Sequence, residues 1–138
     1  MNIKLESTHG PLNYRGTNER GQSIQLSGDQ EAVSPMESVL MAVAGCSSID
    51  VEMILKKMRQ DLQKMEVEVK AERATEAPKV FTDIHIHYIL HGDLKAEKVK
   101  QAIDLSMEKY CSVSIMLKKS VNITYTFDIR NVRWHEEM

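Results

Sequence analysis

The stretch from Ser34 to Leu62 constrains the fold most, because it predicts one long helix whose first half is apolar on every side. Ser34 is a good N-cap residue, Pro35 suits the first helical position, and Glu37 completes a capping box with Ser34. From Val39 to Val51 there is no polar face, whereas beyond it apolar residues recur at helical spacing against charged ones. We therefore expect the first half of the helix to be buried all round and the second half to lie at a surface.

The length of the apolar half of this helix indicates whether lipid or protein covers it. It is thirteen residues long, short of the roughly 20 that a membrane-spanning helix needs, and Asp50 interrupts it. Protein should therefore cover it, and we expect no membrane partner. Because one chain of 138 residues does not readily bury so apolar a helix, the sequence predicts a homodimer.

Composition and charge narrow the class of protein. The length fits a single domain over residues 1–138. The net charge is −2, from 18 basic and 20 acidic residues that are interspersed, so we expect no nucleic-acid partner. The N-terminus carries no apolar signal segment, which predicts a cytoplasmic protein with two reduced cysteines.

Alternating apolar and polar residues predict strands on both sides of the helix. Ile3 and Leu5 are expected to face inward on the first strand, and Asp93 is expected to cap a second helix that runs to Tyr110. The predicted strands cover residues 1–6, 12–15, 23–26, 65–72, 80–91 and 121–129, a short helix covers 112–119, and residues 131–138 form a tail. The strands at 65–72 and 80–91 should pair as an antiparallel hairpin. This order predicts an α+β fold rather than a doubly wound one.

Two cysteines are the residues that could carry chemistry. Cys46 and Cys111 each lie beside small polar residues on apolar helices, and the helical pattern changes phase at Cys111. Free cysteine is among the most buried residue types, so one interpretation is that both are small core residues. A redox role is the other interpretation.

Several segments favour the redox interpretation through a resemblance. SPMESVLMAVAGCSSIDV and LSMEKYCSVSIML resemble the two cysteine motifs of the OsmC/Ohr family of thiol-dependent hydroperoxide reductases. ERATEAPKVFTDIHIHYI and SIMLKKSVNITY resemble the OsmC-like, YhfA-type branch of that family, so the resemblance covers nearly the whole chain. It implies an OsmC-like fold, an intertwined homodimer with sites at the interface, and a role in oxidative stress defence.

The resemblance also implies a reaction cycle. The Cys46 thiolate would attack an organic or small hydroperoxide and become a sulfenic acid, which Cys111 would capture as a disulfide that a dithiol reduces. The cycle uses no cofactor. His85 and His87 share one strand face, but no close cysteine pair accompanies them, so we expect no metal.

The cycle requires a cation near Cys46, because an unperturbed thiol is only a few per cent thiolate near neutral pH. The helix N-terminus cannot serve, since Cys46 lies twelve residues past Ser34. The family supplies an arginine from the N-terminal strand region, and Arg20 in ERGQSIQLS is the better match, with Arg15 in NYRGT second. A role as solvated turn residues explains both arginines equally well.

Two carboxylates leave a second hypothesis open. The family holds its arginine with an acid in the segment that opens the helix, where this chain has Met36 and displaces the acid to Glu37. Glu37 lies nine residues before Cys46, roughly 13 Å along the axis and on the opposite face. Asp50, one turn after Cys46, would disfavour a thiolate unless a cation compensates it. The second hypothesis is therefore a dimeric binding protein that keeps the fold and an apolar cavity while its cysteines do little.

Overall fold

The structure is a computed structural model that describes residues 1–131. The rest of the predicted tail, residues 132–138, lies outside the described residues. In chain order the elements are β1 (Ile3–Ser7), β2 (Asn13–Asn18), β3 (Ser23–Ser27), α1 (Pro35–Lys57), β4 (Asp61–Arg73), β5 (Phe81–Asp93), α2 (Ala96–Leu105), a π-helical turn (Ser106–Tyr110), α3 (Ser112–Leu117) and β6 (Asn122–Arg130). This mixture of helices and two small sheets is the predicted α+β class.

The chain divides into two compact units, which we call the N-terminal unit, up to Met41, and the C-terminal unit, from Ala42 onward. In the N-terminal unit, β1, β2 and β3 form an antiparallel meander, with Leu5 opposite Gly16 and Tyr14 opposite Leu26. The expectation that Ile3 and Leu5 face inward is wrong, because both side chains are exposed. The single-domain assignment stays a prediction.

The C-terminal unit contains the second sheet, in the order β4-β5-β6. β4 and β5 form the predicted antiparallel hairpin, whereas β5 and β6 run parallel, joined by the helical segment between them. The middle strand β5 is the most buried, with Ile84, Ile86, Tyr88 and Leu90 wholly inaccessible to solvent. This alternation on the central strand places the core of the unit on one face of the sheet.

The junction between α1 and β4 departs from the sequence-based prediction. α1 ends at Lys57 and not at Leu62. Arg59 adopts the left-handed conformation, with a φ angle of 58°, and turns the chain into β4. Leu62 then pairs with Gly92 on β5. A Cβ atom on Gly92 would stand 2.0 Å from the carbonyl oxygen of Asp61, so only glycine allows this pairing.

The start of α2 also differs from the prediction. Asp93 is the last residue of β5 and does not cap the helix, which starts at Ala96 with Lys95 in the N-cap position. The backbone N–H of Lys95 donates to Oε1 of Gln60 at 2.9 Å, so a side chain from the α1–β4 junction takes a donor near the start of α2. The predicted change of phase at Cys111 is confirmed, because α2 passes into the π-helical turn and Cys111 follows it.

The burial of α1 is one-sided. Val43, Ser47, Val51 and Leu55, spaced by one turn, are fully buried. On the opposite side Ile49 is 64% exposed and Met53 is 53% exposed, so the expectation of burial all round is wrong for the chain by itself. By length and composition alone α1 could cross a membrane, a test that core helices also pass, and the absence of a membrane partner stays a prediction.

Candidate functional site

The two cysteines lie close together within the C-terminal unit, although they are 65 positions apart in the sequence. The sulfur atoms of Cys46 and Cys111 and a carboxylate oxygen of Asp50 lie within 4.8 Å of one another. Cys46 and Asp50 are one turn apart on α1, which places their side chains on one face of the helix. Cys111 reaches the same point from the end of the π-helical turn, where the backbone becomes extended.

The two thiols differ in exposure. Cys46 is half-buried and Cys111 is fully buried, and neither forms a disulfide. Burial raises the pKa of the Cys111 thiol, a hydrogen bond with Ser114 lowers it, and the neighbouring Cys46 raises it further. Solvent therefore reaches Cys46 and not Cys111, and burial favours the neutral form of the Cys111 thiol.

A chain of hydroxyl groups runs behind the thiols. Ser106 Oγ lies 3.2 Å from Oδ2 of Asp50 and 3.3 Å from Oγ of Ser47, and Ser47 also hydrogen-bonds to the hydroxyl of Tyr88. The single hydroxyl proton of Ser106 serves one of its two partners at a time. Burial raises the pKa of Tyr88 to about 12, so its phenol stays neutral and can donate to Ser47. This chain links the Asp50 carboxylate to the buried strand β5.

A partly apolar cleft in the same unit shares Asp50 with the thiol cluster. Its volume is about 420 Å³, and Asp50 and Lys57 are the charged residues in its lining. The remaining lining residues are apolar or aromatic: Met53, Ile54, Met58, Leu105 and Tyr110. A cleft of this size and lining is suited to a small organic group.

The two candidate arginines have neighbours within the N-terminal unit. Arg20 lies in the turn between β2 and β3, where its backbone N–H donates to Oδ1 of Asn18 and its Nε donates to Oε1 of Gln22, each at 3.1 Å. Arg15 is exposed on β2, in register with Glu6 on β1. Arg20 thus lies in the turn where the sequence places it, while a role for Arg20 or Arg15 beside Cys46 stays a prediction.

Glu37 forms the predicted capping box. The backbone N–H of Ser34 donates to its carboxylate at 2.9 Å, and its own N–H donates to Oγ of Ser34 at 3.1 Å. These hydrogen bonds from Ser34 lower the pKa of Glu37. The capping role is thus confirmed, and a catalytic role for Glu37 stays a prediction.

His85 and His87 share one face of β5, as predicted. His85 hydrogen-bonds to the hydroxyls of Thr124 and Thr126 on β6, at 2.7 Å and 3.0 Å. His87 bonds to Thr126 at 2.6 Å and lies 3.3 Å from the carboxylate of Asp128. Both imidazole rings therefore belong to a row of polar side-chain contacts between β5 and β6.

Sequence reasoning missed the three hydroxyl residues Ser47, Ser106 and Tyr88. The available signal was a small hydroxyl side chain inside an apolar helical run, beside Cys46 in one case and five residues before Cys111 in the other. Such a residue must find a hydrogen-bond partner when it is buried. Because the partners lie on other elements of the fold, the sequence predicts that these residues need partners but not which residues the partners are.

Comparisons with known proteins identify the family and the fold. The model of the family described as OsmC-like protein matches residues 28–126. Protein YhfA of Escherichia coli strain K12 is 50% identical over 132 residues, which cover 94% of this chain and 98% of that protein. A hypothetical protein from Aquifex aeolicus VF5 is 30% identical with a TM-score of 0.88, over 96% of this chain and 97% of the other. An organic hydroperoxide resistance protein OsmC from Legionella pneumophila shares the fold, with 16% identity and a TM-score of 0.67 over 94% and 95% of the two chains.

Proposed function

The chain belongs to the OsmC-like protein family, and from that membership we propose that it is a thiol-dependent hydroperoxide reductase. One observation carries the proposal: the sulfur atoms of Cys46 and Cys111 lie within 4.8 Å, and only the first is open to solvent. This is the arrangement that a reactive and a resolving thiol need. The hydroperoxide-resistance name of the Legionella relative supports the same reaction class.

The reaction balances with two thiols and one hydroperoxide. The Cys46 thiolate attacks the terminal oxygen of ROOH, the O–O bond breaks, and the leaving alkoxide takes up a proton to become an alcohol. Cys46 is then a sulfenic acid. The Cys111 sulfur attacks the Cys46 sulfur, forming the disulfide and releasing water, and an external dithiol restores both thiols by exchange.

The cleft next to Asp50 favours organic hydroperoxides as substrates. Five of its seven lining residues are apolar or aromatic, and it shares Asp50 with the thiol cluster. An organic group bound there would lie beside Asp50, which is one helical turn from Cys46. Hydrogen peroxide has no apolar part and gains nothing from this lining, so we expect cumene hydroperoxide to react faster than hydrogen peroxide.

The test is hydroperoxide consumption with dithiothreitol as reductant. Wild-type protein should turn over, and Cys46→Ser should reduce the rate to that of the reductant alone because it removes the nucleophile. Ser48→Ala, beside the same site, is the matched control and should keep most of the activity. A wild-type rate no higher than that of Cys46→Ser would contradict the proposal.

We also propose that the protein acts as a homodimer, with the outer face of α1 covered by a second copy. Ile49 is 64% exposed on the apolar half of α1, and burying such a side chain gains about 1.5–3 kcal/mol. Ile49→Glu should therefore shift the protein toward the monomer in light scattering at micromolar concentration, whereas Lys56→Glu, an exposed change on the same helix, should not. A wild-type monomer at that concentration would contradict the dimer.

A second candidate function is the binding of a small organic molecule without peroxidase chemistry. The cleft of about 420 Å³ favours it, as does the carboxylate of Asp50 beside the two thiols. The turnover assay separates the two functions, because a binding protein would give the same low rate with and without Cys46.

A further inference from the structure

Cys46, Asp50 and Cys111 together offer the ligand atoms of a metal site. Two sulfur atoms and one carboxylate oxygen lie within 4.8 Å of one another. Around a tetrahedral zinc ion, with Zn–S bonds of about 2.3 Å and Zn–O bonds of about 2.0–2.2 Å, such atoms stand about 3.5–3.8 Å apart. Side-chain rotations that bring the three ligand atoms to this spacing would form the site. We propose that the reduced protein binds Zn²⁺ through Cys46, Cys111 and Asp50.

The charge of the cluster favours a cation. Two thiols and a carboxylate are all acidic groups, and like charges this close disfavour one another. Within residues 1–131 no ion pair is recorded for Asp50, whose carboxylate interacts instead with the hydroxyl of Ser106. A divalent ion would compensate two thiolates and leave the carboxylate as a third ligand. If Cys46 is to be a thiolate, a cation must compensate Asp50, and a bound Zn²⁺ would be such a cation.

The surroundings of the cluster hold its ligands in place. Ser106, itself fully buried, lies 3.2 Å from the Asp50 carboxylate and is held in turn by Ser47. Hydrogen bonds of this kind orient the ligands of metal sites. Cys46 and Asp50 stand at the i and i+4 positions of α1, the spacing that lets two ligands from one helix share an ion. The third ligand follows a π-helical turn, a distortion that occurs frequently at functional sites.

The site has three protein ligands and a fourth position for water. The half-buried Cys46 leaves one side of the cluster open to solvent, through which the ion would enter. Zinc and the Cys46–Cys111 disulfide exclude each other, because each uses both sulfur atoms. The prediction of no metal considered His85 and His87, whereas the ligands proposed here come from α1 and the π-helical turn.

Metal titration tests the site without any measurement of turnover. The reduced protein is titrated with Co²⁺, followed by the near-ultraviolet thiolate-to-cobalt band, and with Zn²⁺ against a chromophoric chelator. We expect one ion per chain, a band typical of two thiolates, and no binding by protein whose thiols are joined in a disulfide. Asp50→Asn, which keeps the size of the side chain, should weaken Zn²⁺ binding at least about tenfold.

Glu52→Gln is the matched control, since it removes an exposed carboxylate two residues away on the same helix. It should bind Zn²⁺ like the wild type, and circular dichroism confirms that both variants are folded. Equal affinities for Asp50→Asn and Glu52→Gln would overturn the assignment of Asp50, and wild-type binding no tighter than that of Cys111→Ser would overturn the whole site. Because no hydroperoxide enters these titrations, failure of the peroxidase proposal and failure of the metal site give different results.

Discussion

The two units of the chain bury their apolar residues to very different degrees. On the central strand of the C-terminal unit Ile86 is fully buried, whereas on the N-terminal meander Ile24 is 60% exposed. Buried side chains of α1, α2 and β5 form a core within the C-terminal unit, whereas the apolar side chains Ile3, Leu5 and Ile24 of the N-terminal meander are exposed. The C-terminal unit therefore has a core of its own, although the outer face of α1 stays exposed, while the N-terminal unit presents most of its large apolar side chains at its surface.

The same difference separates the candidate site residues. Cys46, Asp50 and Cys111 belong to the C-terminal unit, where packing within one chain holds them within 4.8 Å of one another. Arg20 and Glu37 belong to the N-terminal unit, where their hydrogen bonds are to their own turn and helix cap. The close approach of the two thiols is thus formed within one chain. A role for Arg20 beside Cys46 stays a prediction, which the substitutions below test.

The largest effect should come from a pair of identical changes, one in each unit. Ile86→Ala should lower the free energy of unfolding by about 2–5 kcal/mol, because it leaves a cavity in a packed core. Ile24→Ala removes an exposed side chain and should cost less than about 0.5 kcal/mol in the dissociated chain. Urea unfolding at several protein concentrations measures both.

A cost for Ile24→Ala that appears only at high concentration would sharpen the comparison, because it would place Ile24 in a contact between copies. Equal costs for the two changes at every concentration would break it.

An intermediate effect is expected for the arginine. If Arg20 is the cation that stabilises the Cys46 thiolate, Arg20→Ala should slow the alkylation of Cys46 by iodoacetamide at neutral pH about tenfold. Arg20→Lys keeps the charge and should restore part of the rate, which a purely structural role in the turn would not predict. Slower alkylation in Arg15→Ala, with Arg20→Ala unchanged, would transfer the role to Arg15.

The smallest effect should come from a surface carboxylate in each unit. Asp104 accepts from Lys100 at 2.7 Å and from the Tyr125 hydroxyl at 2.5 Å, and these bonds, that of Lys100 first, lower its pKa. Its contribution to stability is complete above the unfolded pKa of about 3.8–3.9 and is lost as the pH falls through the lower folded value. With the side chain 35% exposed, the contribution should be below about 1 kcal/mol.

Asp104→Asn should therefore reduce the loss of stability during acid titration, as followed by the melting temperature between pH 5 and pH 2. Asp29→Asn is the corresponding change in the N-terminal unit, where hydrogen bonds, that of Ser27 first, lower the pKa of an exposed carboxyl. We expect the smaller change there. The opposite order would show that the N-terminal unit carries the acid-sensitive contacts.

Local signals in the sequence predicted the elements better than their ends. The capping box of Ser34 and Glu37 depends on residues three apart, so it could be read directly and is confirmed. Leu62 continues the helical spacing of α1, yet its pairing with Gly92 on a distant strand makes it part of β4. The parallel pairing of β5 with β6 depends on the path of the intervening helices, which periodicity does not report.

Hydropathy likewise does not say which chain covers an apolar residue. The sequence predicted burial around the whole of Val39–Val51, but a single chain covers only one side of that segment. At the site, the four-residue spacing of Cys46 and Asp50 was readable, whereas the approach of Cys111 came from the family resemblance. The contacts of Ser106 depend on tertiary structure, and no local pattern predicted them.

The central claim is that Cys46 and Cys111 form a redox pair, and peptide mass spectrometry after one equivalent of cumene hydroperoxide tests it most directly. The account predicts that reduced wild-type protein loses both thiols together and yields a Cys46–Cys111 disulfide. Under the same treatment Cys111→Ser should stop at a sulfenic acid on Cys46 and over-oxidise with excess peroxide. Slow and independent loss of the two thiols, with no peptide joining Cys46 to Cys111, would contradict the claim.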